Sequence, residues 1–408
     1  MSGVNSFSAF DFNHNNNVSG FLVNSDSCKA EFNSAGSGIG GFSGAGSCSY
    51  FDDLKYVTLP FFYNGKPASE TFRDDEIPRC VLSLSSAGSL RYNSGKENPP
   101  RKKFLKEVLP SDIMPVPVYL VHSKTVFVAE YSDFRMDLGD VDKIENDRLC
   151  QNSAYGVNYG DIRLFEPESG KTFRSGAEGD GIITSCRSFA PCVTVADCMP
   201  VFLWDCKTGA FGICHSGWKG TGIAAKAVTL MCKTFGSVPE DICVILGPHI
   251  HDCCYTVDAE RAAYFSREFS PDCCVPVDAA DLHGAASGVS SISASAGGVK
   301  PASSGSAAYG NQSALKPGGI FRLSLARANE VSLEKSGIKP ENILHCTDCT
   351  SCFSLPVAPG AANATDGRCF PYGSFRRQTA HLPEGTPLEE RFKVFSAMLA
   401  LIGYIAHK

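Results

Sequence analysis

The 408-residue sequence lacks three features that would each point to a class of protein. It has no excess of positive charge, because 37 Lys and Arg stand against 43 Asp and Glu, and the net charge of −6 argues against a nucleic-acid-binding protein. Its longest nearly apolar run, residues 395–406, is shorter than the roughly 20 residues of a membrane-spanning helix. The first 49 residues contain one basic residue, Lys29, whereas a signal peptide begins with several. We therefore expect a cytoplasmic protein that binds neither nucleic acid nor a membrane.

Cysteine is abundant, and most of the thiols are predicted to pack in the core. The chain has 19 cysteines, an odd number, and its hydrophobic content of 43% is enough for a core without disulfide support. Cys346, Cys349 and Cys352 have the spacing of an iron–sulfur motif, but the fourth cysteine of that motif is missing. We interpret this run as a cysteine-rich loop and leave open whether it binds a metal. Two adjacent pairs are also interpreted as loop thiols, Cys253-Cys254 and Cys273-Cys274.

Two stretches of the chain are poor in residues that form a core. Residues 1–49 include 26 Ser, Gly and Asn, so burial cannot offset the entropy lost on ordering them, and they are predicted to be mostly flexible. Residues 279–319 are rich in Ala, Ser and Gly and are predicted to be a surface insertion, because a longer loop costs little free energy. The remainder, 50–408, is predicted to be one domain that contains this insertion.

Strand patterns and helix patterns alternate in the rest of the sequence. Apolar, β-branched runs predict strands at 116–129 (one strand or a bent pair), 191–204 (two strands with a break at 197–200), 210–215 and 241–246. Helical patterns cover 223–235, with Thr221 as the N-cap and Gly236 after its end, 258–269, and 323–336, closed by Gly337. A capping box at 386–389 begins a last predicted helix that runs to Ile405. Strands and helices in one core indicate an α/β or an α+β architecture.

Three polar side chains stand inside apolar strand segments, and together they could form a metal site. His122, Cys198 and His215 each lie at or near a strand break, where side chains from different strands converge. A thiolate and two imidazoles suit Zn²⁺ and leave its fourth position for water or substrate. The spacings of 76 and 17 residues are not those of a compact zinc finger, so packing roles for these residues remain an alternative.

The segments around these residues resemble the YfiH family, also called the laccase-domain or polyphenol oxidase family, which includes the bacterial peptidoglycan editing factor. Four motifs occur in the family's order, LVHSKTV (120–126), VADCMP (195–200), HSGWKGT (215–221) and GPHIHDCCYTV (247–257). Three shorter matches accompany them, Glu178-Gly179-Asp180-Gly181, Cys346-Thr347 and Ser374-x-Arg376-Arg377. The resemblance covers roughly residues 80–380, apart from the predicted insertion.

The resemblance implies a fold, a metal and an activity. The fold is α+β, with mixed β-sheets flanked by helices, similar to the catalytic domain of cytotoxic necrotising factor. The metal, usually described as zinc, is bound by the residues that match His122, Cys198 and His215. The activity is on purine nucleosides, with phosphorolysis of adenosine, inosine and methylthioadenosine and deamination of adenosine. The expected small-molecule partners are therefore a purine nucleoside and phosphate.

The histidine count argues against the chemistry in the family's older name. A multicopper oxidase needs roughly ten histidines in several HxH pairs, besides a blue-copper His₂Cys centre. This chain has nine histidines in all and a single HxH, His249-Ile250-His251. One His₂Cys set could still bind copper, but we expect zinc.

Two alternatives to a zinc-bound reaction centre stay open. If zinc is bound, it lowers the pKa of its water ligand to about 7. Zinc deaminases move protons with the glutamate of an H-x-E motif, which this sequence lacks. We therefore predict that Asp197, beside Cys198, carries the proton. Without zinc, Cys198 and His215 could act as a nucleophilic thiolate–imidazole pair, as an amidase that edits peptidoglycan precursors would require. A third interpretation is a non-catalytic, zinc-stabilised module that recruits partners through its two flexible stretches.

Further residues of the same motifs are predicted to contact the substrate. Lys219 lies in the glycine-rich HSGWKGTG run that enters a helix, and the Arg376-Arg377 pair offers bidentate contacts, so these three are candidates for binding phosphate. Tyr255 and Trp218 are predicted to form part of the pocket wall, where an aromatic face can stack on a base. A solvated surface position is the alternative for each charge.

Overall fold

The computed structural model describes residues 4–10, 54–92, 97–131, 162–173, 177–277, 319–356, 364–365 and 368–405. Two large mixed β-sheets with helices packed against them form its core, which confirms the α+β class. Most of the predicted flexible segment 1–49 and nearly all of the predicted insertion 279–319 lie outside the described residues. The division into domains therefore stays a prediction. No helix within the described ranges is long and apolar enough to cross a membrane.

The larger sheet has nine strands, numbered here along the chain. From one edge to the other they are β1 (Asn5–Phe7), β18 (Ile343–Cys346), β14 (Ile242–Leu246), β12 (Met199–Asp205), β13 (Phe211–Ser216), β10 (Gly181–Thr184), β7 (Val126–Tyr131), β8 (Ile162–Glu166) and β9 (Lys171–Phe173). Strand β12 pairs antiparallel with β13 and β14, whereas β18 runs parallel to both of its neighbours. The edge strand β1 lies within the segment predicted to be mostly flexible, and its residues 5–7 pair along β18.

The second sheet has five strands, and smaller sheets complete the fold. In spatial order it contains β2 (Tyr56–Leu59), β5 (Arg79–Ser83), β22 (Met398–Gly403), β11 (Phe189–Val195) and β6 (Met114–Pro117). One three-stranded sheet contains, in spatial order, β15 (Thr256–Asp258), β17 (Ile320–Leu323) and β16 (Cys274–Pro276). A second contains β19 (Leu355–Pro356), β21 (Arg368–Cys369) and β20 (Ala364–Thr365). A two-stranded sheet pairs β3 (Phe62–Tyr63) with β4 (Lys66–Pro67). The predicted strand region 116–129 is thus a pair, and its members β6 and β7 belong to different sheets.

Six helices are described: α1 (Pro99–Val108), α2 (Ile223–Phe235), α3 (Ala259–Glu268), α4 (Leu325–Lys335), α5 (Phe375–Gln378) and α6 (Leu388–Arg391). The bounds predicted for α2 are confirmed, and Gly236 ends it in the left-handed region at φ 71°. The N-cap prediction is wrong, because Gly222 occupies that position and the Thr221 hydroxyl donates to the carbonyl of Gly217 instead. Helix α4 begins two residues later than predicted, because residues 320–323 form strand β17.

Alternation along the strands divides the core into layers. In β12, Phe202 and Trp204 face the five-stranded sheet, and Val201 and Leu203 face helices α2, α3 and α4 on the other side. Helix α1 covers the outer face of the five-stranded sheet. Both faces of the central strands are therefore buried, which is why these strands are mostly apolar and do not alternate with polar residues.

The predicted C-terminal helix is wrong. The capping-box segment 386–389 leads only into the short helix α6, and Thr386 donates its hydroxyl to the carbonyl of Pro383. The apolar run that follows forms β22, which lies between β5 and β11 in the five-stranded sheet. All six residues of β22 are buried. A continuous apolar run fits a strand with two buried faces as well as it fits a buried helix, and tertiary packing decides between them.

Candidate metal centre and active site

The two large sheets are joined directly at Cys198. Strand β11 of the five-stranded sheet ends at Val195, and β12 of the nine-stranded sheet begins at Met199, so Cys198 lies on the three-residue link. Asp197, on the same link, has a left-handed backbone with φ 78°, a conformation that non-glycine residues seldom adopt. Since Met199 pairs with Ser216, this tight turn places Cys198 beside the end of β13, which carries His215.

His122 reaches the same place from the loop before β7. Its φ of 59° is also left-handed. The candidate ligand atoms of His122, Cys198 and His215 all lie within 4.8 Å of one another, so the structure brings the three predicted ligands together. His122 is exposed, Cys198 is half-buried and His215 is buried, which leaves one side of the set open. Two nitrogens and a sulfur with one open side are the donor set of a catalytic zinc site.

Gly217 provides the space in which the three side chains meet. A Cβ at this position would lie 2.9 Å from Cys198 Sγ, 3.4 Å from His122 Cδ2 and 3.8 Å from His215 Cε1. A side chain there would displace the sulfur, so the glycine of the HSGWKGT motif is required by close approach. The donor set and this space fit a single metal ion.

Asp180 holds both histidines and has no solvent exposure. Its Oδ1 lies 2.9 Å from His215 Nδ1 and accepts a bond from the His122 backbone N–H at 3.1 Å. Its Oδ2 accepts from the backbone N–H of Ser123 at 2.6 Å and from its hydroxyl at 2.8 Å. A carboxylate on one histidine nitrogen directs the other nitrogen toward a metal. The sequence assigned no role to Asp180, although the matched acidic-Asp-Gly segment was the available signal.

Cys198 and His215 form a charged pair when no metal is bound. Burial alone would raise the pKa of the Cys198 thiol, but the charge of His215 and hydrogen bonds with His122 and His215 outweigh it and lower that pKa to about 6. Burial would lower the pKa of His215, but the charge of Cys198 and the bond to Asp180 raise it to about 10. The sulfur is therefore a thiolate, the form that both metal binding and nucleophilic attack require.

The carboxylate of Asp197 is occupied by neighbouring loops. Its Oδ1 accepts from the Thr350 hydroxyl at 2.8 Å, and its Oδ2 accepts from the Arg376 backbone N–H at 2.6 Å. Burial raises the pKa of this carboxyl, in opposition to these hydrogen bonds. Asp197 therefore braces the Arg376 loop against the link that carries Cys198.

Of the predicted substrate-contact residues, Tyr255 lies near the centre and Arg377 acts as a brace. The Arg376 guanidinium lies 5.8 Å from the centroid of the Tyr255 ring. Burial raises the pKa of the Tyr255 hydroxyl, and the charge of Cys198 raises it further, so this hydroxyl lies in the field of the metal set. The exposed Lys219 lies over the Trp218 ring, with Nζ 5.4 Å from its centroid. Arg377 donates to the carbonyls of Thr350 and Ser351 at 2.6 and 3.0 Å, so its guanidinium is engaged within the protein.

The sequence assigned no role to a group of three histidines next to this centre, although His249 and His251 form the chain's single HxH. His249 is only 1% exposed, and with the half-buried His251 and His345 it forms a group whose ligand atoms lie within 4.8 Å. The loop turns inward because the Ile250 N–H donates to the carbonyl of Asp197. Burial lowers the pKa of all three imidazoles, so they are neutral.

Comparison with known proteins gives a family for this arrangement. Residues 118–287 match the family model described as multi-copper polyphenol oxidoreductase laccase, a range that contains His122, Cys198 and His215. Over 96 residues the chain is 41% identical to a mouse protein named purine nucleoside phosphorylase LACC1, an alignment that covers 23% of this chain and 22% of that protein. It is 40% identical over 90 residues to purine nucleoside phosphorylase CA_C1699 of Clostridium acetobutylicum, covering 22% and 38%. Residues 118–287 of the chain therefore resemble the YfiH, or laccase-domain, family.

The alignments to the curated relatives are partial. They span from about a fifth to two fifths of the curated relatives' length. Two solved structures are also similar, YfiH from Bacillus licheniformis and YlmD from Geobacillus stearothermophilus, both with a TM-score of 0.46. The first is 19% identical, with 80% of this chain and 92% of the other covered; the second is 18% identical, with 82% and 94% covered.

Proposed function

We propose that this protein is a YfiH-family, zinc-dependent purine nucleoside phosphorylase that acts on adenosine, inosine or methylthioadenosine in the cytoplasm. One observation carries the proposal: a fully buried carboxylate, Asp180, holds two histidines beside a cysteine in a set that is open on one side. Support for the substrate class comes from the relatives named purine nucleoside phosphorylase. Deamination of adenosine is proposed as a second reaction of the same centre.

Zinc is the proposed metal, held by His122, Cys198 and His215. One thiolate and two imidazoles suit the borderline-soft Zn²⁺ ion, and a copper ion on the same ligands is the less favoured alternative. When bound, a zinc ion supplies Lewis-acid chemistry and lowers the pKa of water. Asp180 fixes the tautomer and ring orientation of His215, and the exposed side of His122 leaves access for a small molecule.

The chain's own residues bind and orient the two substrates. In phosphorolysis an oxygen of hydrogen phosphate forms a bond to the ribose C1′ while the bond from C1′ to the purine nitrogen breaks, and the purine leaves with the proton that the phosphate gives up. Arg376, beside Tyr255, is the proposed phosphate contact, and Tyr255 provides an aromatic face and a hydroxyl at the centre. We assign a positioning role to Asp197 instead of proton transfer, because Thr350 and Arg376 already donate to its carboxylate. We likewise assign a positioning role to Arg377 instead of anion binding, because its guanidinium already donates to backbone carbonyls.

The test is to incubate the purified chain with adenosine or inosine, with and without inorganic phosphate, and to separate the products by chromatography. Free base that forms only with phosphate supports phosphorolysis, and inosine formed from adenosine without phosphate supports deamination. Cys198→Ala should abolish both reactions, whereas Cys232→Ala, which removes a thiol in the last turn of helix α2, should not. If neither product forms from any of these nucleosides, the proposal is wrong.

A metal-free amidase is the second candidate, because one specific observation favours it. The lowered pKa of Cys198 and the raised pKa of His215 favour a thiolate–imidazolium pair, which is the arrangement that cysteine hydrolases use. Removal of metal with a chelator separates the two functions, since nucleoside turnover should be lost, whereas release of an amino acid from a peptidoglycan precursor should persist. A non-catalytic module would instead show no turnover on either substrate and lower thermal stability in Cys198→Ala.

A further inference from the structure

Four cysteines outside the proposed reaction centre come together from two loops distant in the sequence. Cys253 and Cys254 lie in the turn after β14, and Cys349 and Cys352 lie in the turn after β18. Strands β14 and β18 are parallel neighbours, so both turns leave the same edge of the nine-stranded sheet. A backbone hydrogen bond also joins the two loops, because the Thr350 N–H donates to the carbonyl of His249 at 2.9 Å.

The distances between the sulfurs match a tetrahedral ion. All four Sγ atoms lie within 4.8 Å of one another. Cys253 Sγ is 3.8 Å from Cys254 Sγ and 3.6 Å from Cys352 Sγ. A zinc–sulfur bond of about 2.3 Å in a tetrahedron separates the sulfurs by about 3.8 Å. A disulfide requires about 2.05 Å, and an iron–sulfur cluster holds its cysteines apart around an inorganic core, so neither matches this spacing.

A backbone N–H and a guanidinium lie beside the four sulfurs. The His251 backbone N–H donates to Cys349 Sγ at 3.4 Å. Arg377 lies beside the group and donates to the two backbone carbonyls between Cys349 and Cys352. Cys349, Cys352 and Cys254 lie near enough to interact electrostatically with its guanidinium. Backbone N–H donors and a nearby cation are the usual second layer around a thiolate metal site.

We propose that Cys253, Cys254, Cys349 and Cys352 bind one zinc ion through four thiolates. On binding, each thiol gives up its proton to solvent, and no redox change occurs. Because protein sulfurs fill all four positions, the ion is structural and has no open position for a substrate. It differs in this respect from the open set formed by His122, Cys198 and His215.

The proposed ion would also stiffen the neighbouring reaction centre. Thr350 lies between two of the four cysteines, and its hydroxyl donates to Asp197, which precedes Cys198. Tyr255 directly follows Cys254. An ion that joins the two loops therefore fixes the residues that position both the link bearing Cys198 and the Arg376 loop. Its loss should reduce activity without removing any residue of the reaction centre.

The test counts zinc and records the absorption spectrum of cobalt-substituted protein, using the full chain. Tetrahedral cobalt absorbs in the red, and thiolate-to-cobalt charge transfer in the near ultraviolet grows with the number of sulfur ligands, four here against one at the reaction centre. Cys349→Ser/Cys352→Ser should lose one equivalent of zinc and the four-thiolate spectrum. The matched control, Cys232→Ser/Cys274→Ser, removes two half-buried thiols elsewhere and should lose neither.

A second variant keeps the proposal testable if the double variant fails to fold. Cys198→Ser/His215→Ala removes two ligands of the open site, so any zinc that it retains, with a four-thiolate cobalt spectrum, belongs to the cysteine site. The proposal is overturned if this variant contains no zinc, or if Cys349→Ser/Cys352→Ser binds as much zinc as the wild type. It is also overturned if mass spectrometry of the protein, purified under reducing conditions, shows a disulfide among the four cysteines. None of these outcomes depends on nucleoside turnover.

Discussion

Replacing Asp180 by Asn tests whether this carboxylate organises the metal centre. The four bonds that Asp180 accepts are divided between its oxygens, with His122 and His215 on Oδ1 and both donors of Ser123 on Oδ2. An amide has one oxygen, so in either orientation its NH₂ group faces a backbone N–H. A buried donor left without an acceptor costs about 1–3 kcal/mol. We expect the free energy of unfolding to fall by about that amount.

The larger effect of Asp180→Asn should be on metal affinity. Loss of a carboxylate that orients a histidine ligand typically weakens metal binding by roughly 10–100-fold. Competition with a chromophoric zinc chelator measures this affinity, and urea unfolding measures stability in the same samples. Nucleoside turnover should fall with zinc occupancy.

Asp205→Asn is the matched control for this experiment. Asp205 is also fully buried and accepts bonds from two backbone N–H groups, those of Lys207 and Thr208, and from the Thr208 hydroxyl. It lies at the far end of β12 from Cys198, and both backbone N–H groups donate to Oδ1, which an amide oxygen can replace, so its amide variant should keep the zinc affinity of the wild type. If Asp180→Asn binds zinc as tightly as Asp205→Asn does, the carboxylate does not hold the histidines as we have argued.

Three further perturbations have directions that follow from the structure. Gly217→Ala places a Cβ 2.9 Å from Cys198 Sγ, so zinc affinity in chelator competition should fall by roughly tenfold; an unchanged affinity would mean that the sulfur moves aside without cost. Arg376→Ala should raise the KM for phosphate more than the KM for the nucleoside in steady-state assays, and equal changes would contradict the phosphate contact. Leu401→Ala, in the middle of β22, should lower the free energy of unfolding in urea by about 2–5 kcal/mol, and a loss under 1 kcal/mol would be incompatible with its burial.

Sequence patterns predicted the elements whose signals are local. The helix at 223–235 has its exact bounds in the structure, because its apolar spacing and the glycine at its end are both near-neighbour properties. The run after residue 394 was assigned to a helix because a fully buried strand and a buried helix have the same apolar composition. Only the pairing of β22 with β5 and β11 distinguishes them, and that pairing depends on residues more than 200 positions away in the chain.

In the candidate metal centre, too, only the residues with a local sequence signal could be predicted. His122, Cys198 and His215 were visible because each is a polar residue in an apolar segment and together they match a family pattern. Asp180 was not assigned, because a single acidic residue before a strand does not show which histidine it will face. The four cysteines appear in the sequence in two distant segments, the adjacent pair 253–254 and the run 346–352, and the register of β14 against β18 brings them together.

The three-residue link between β11 and β12 has a consequence for how loss-of-function variants should be distributed. Cys198 lies on the link between the two large sheets, whereas His215 belongs to the nine-stranded sheet alone. A shift of one sheet relative to the other therefore changes the distance between Cys198 and His215. Harmful substitutions in a mutational scan should therefore cluster in the apolar interlayer as well as around the ligands. Many of these substitutions would yield folded protein with a reduced affinity for the metal ion.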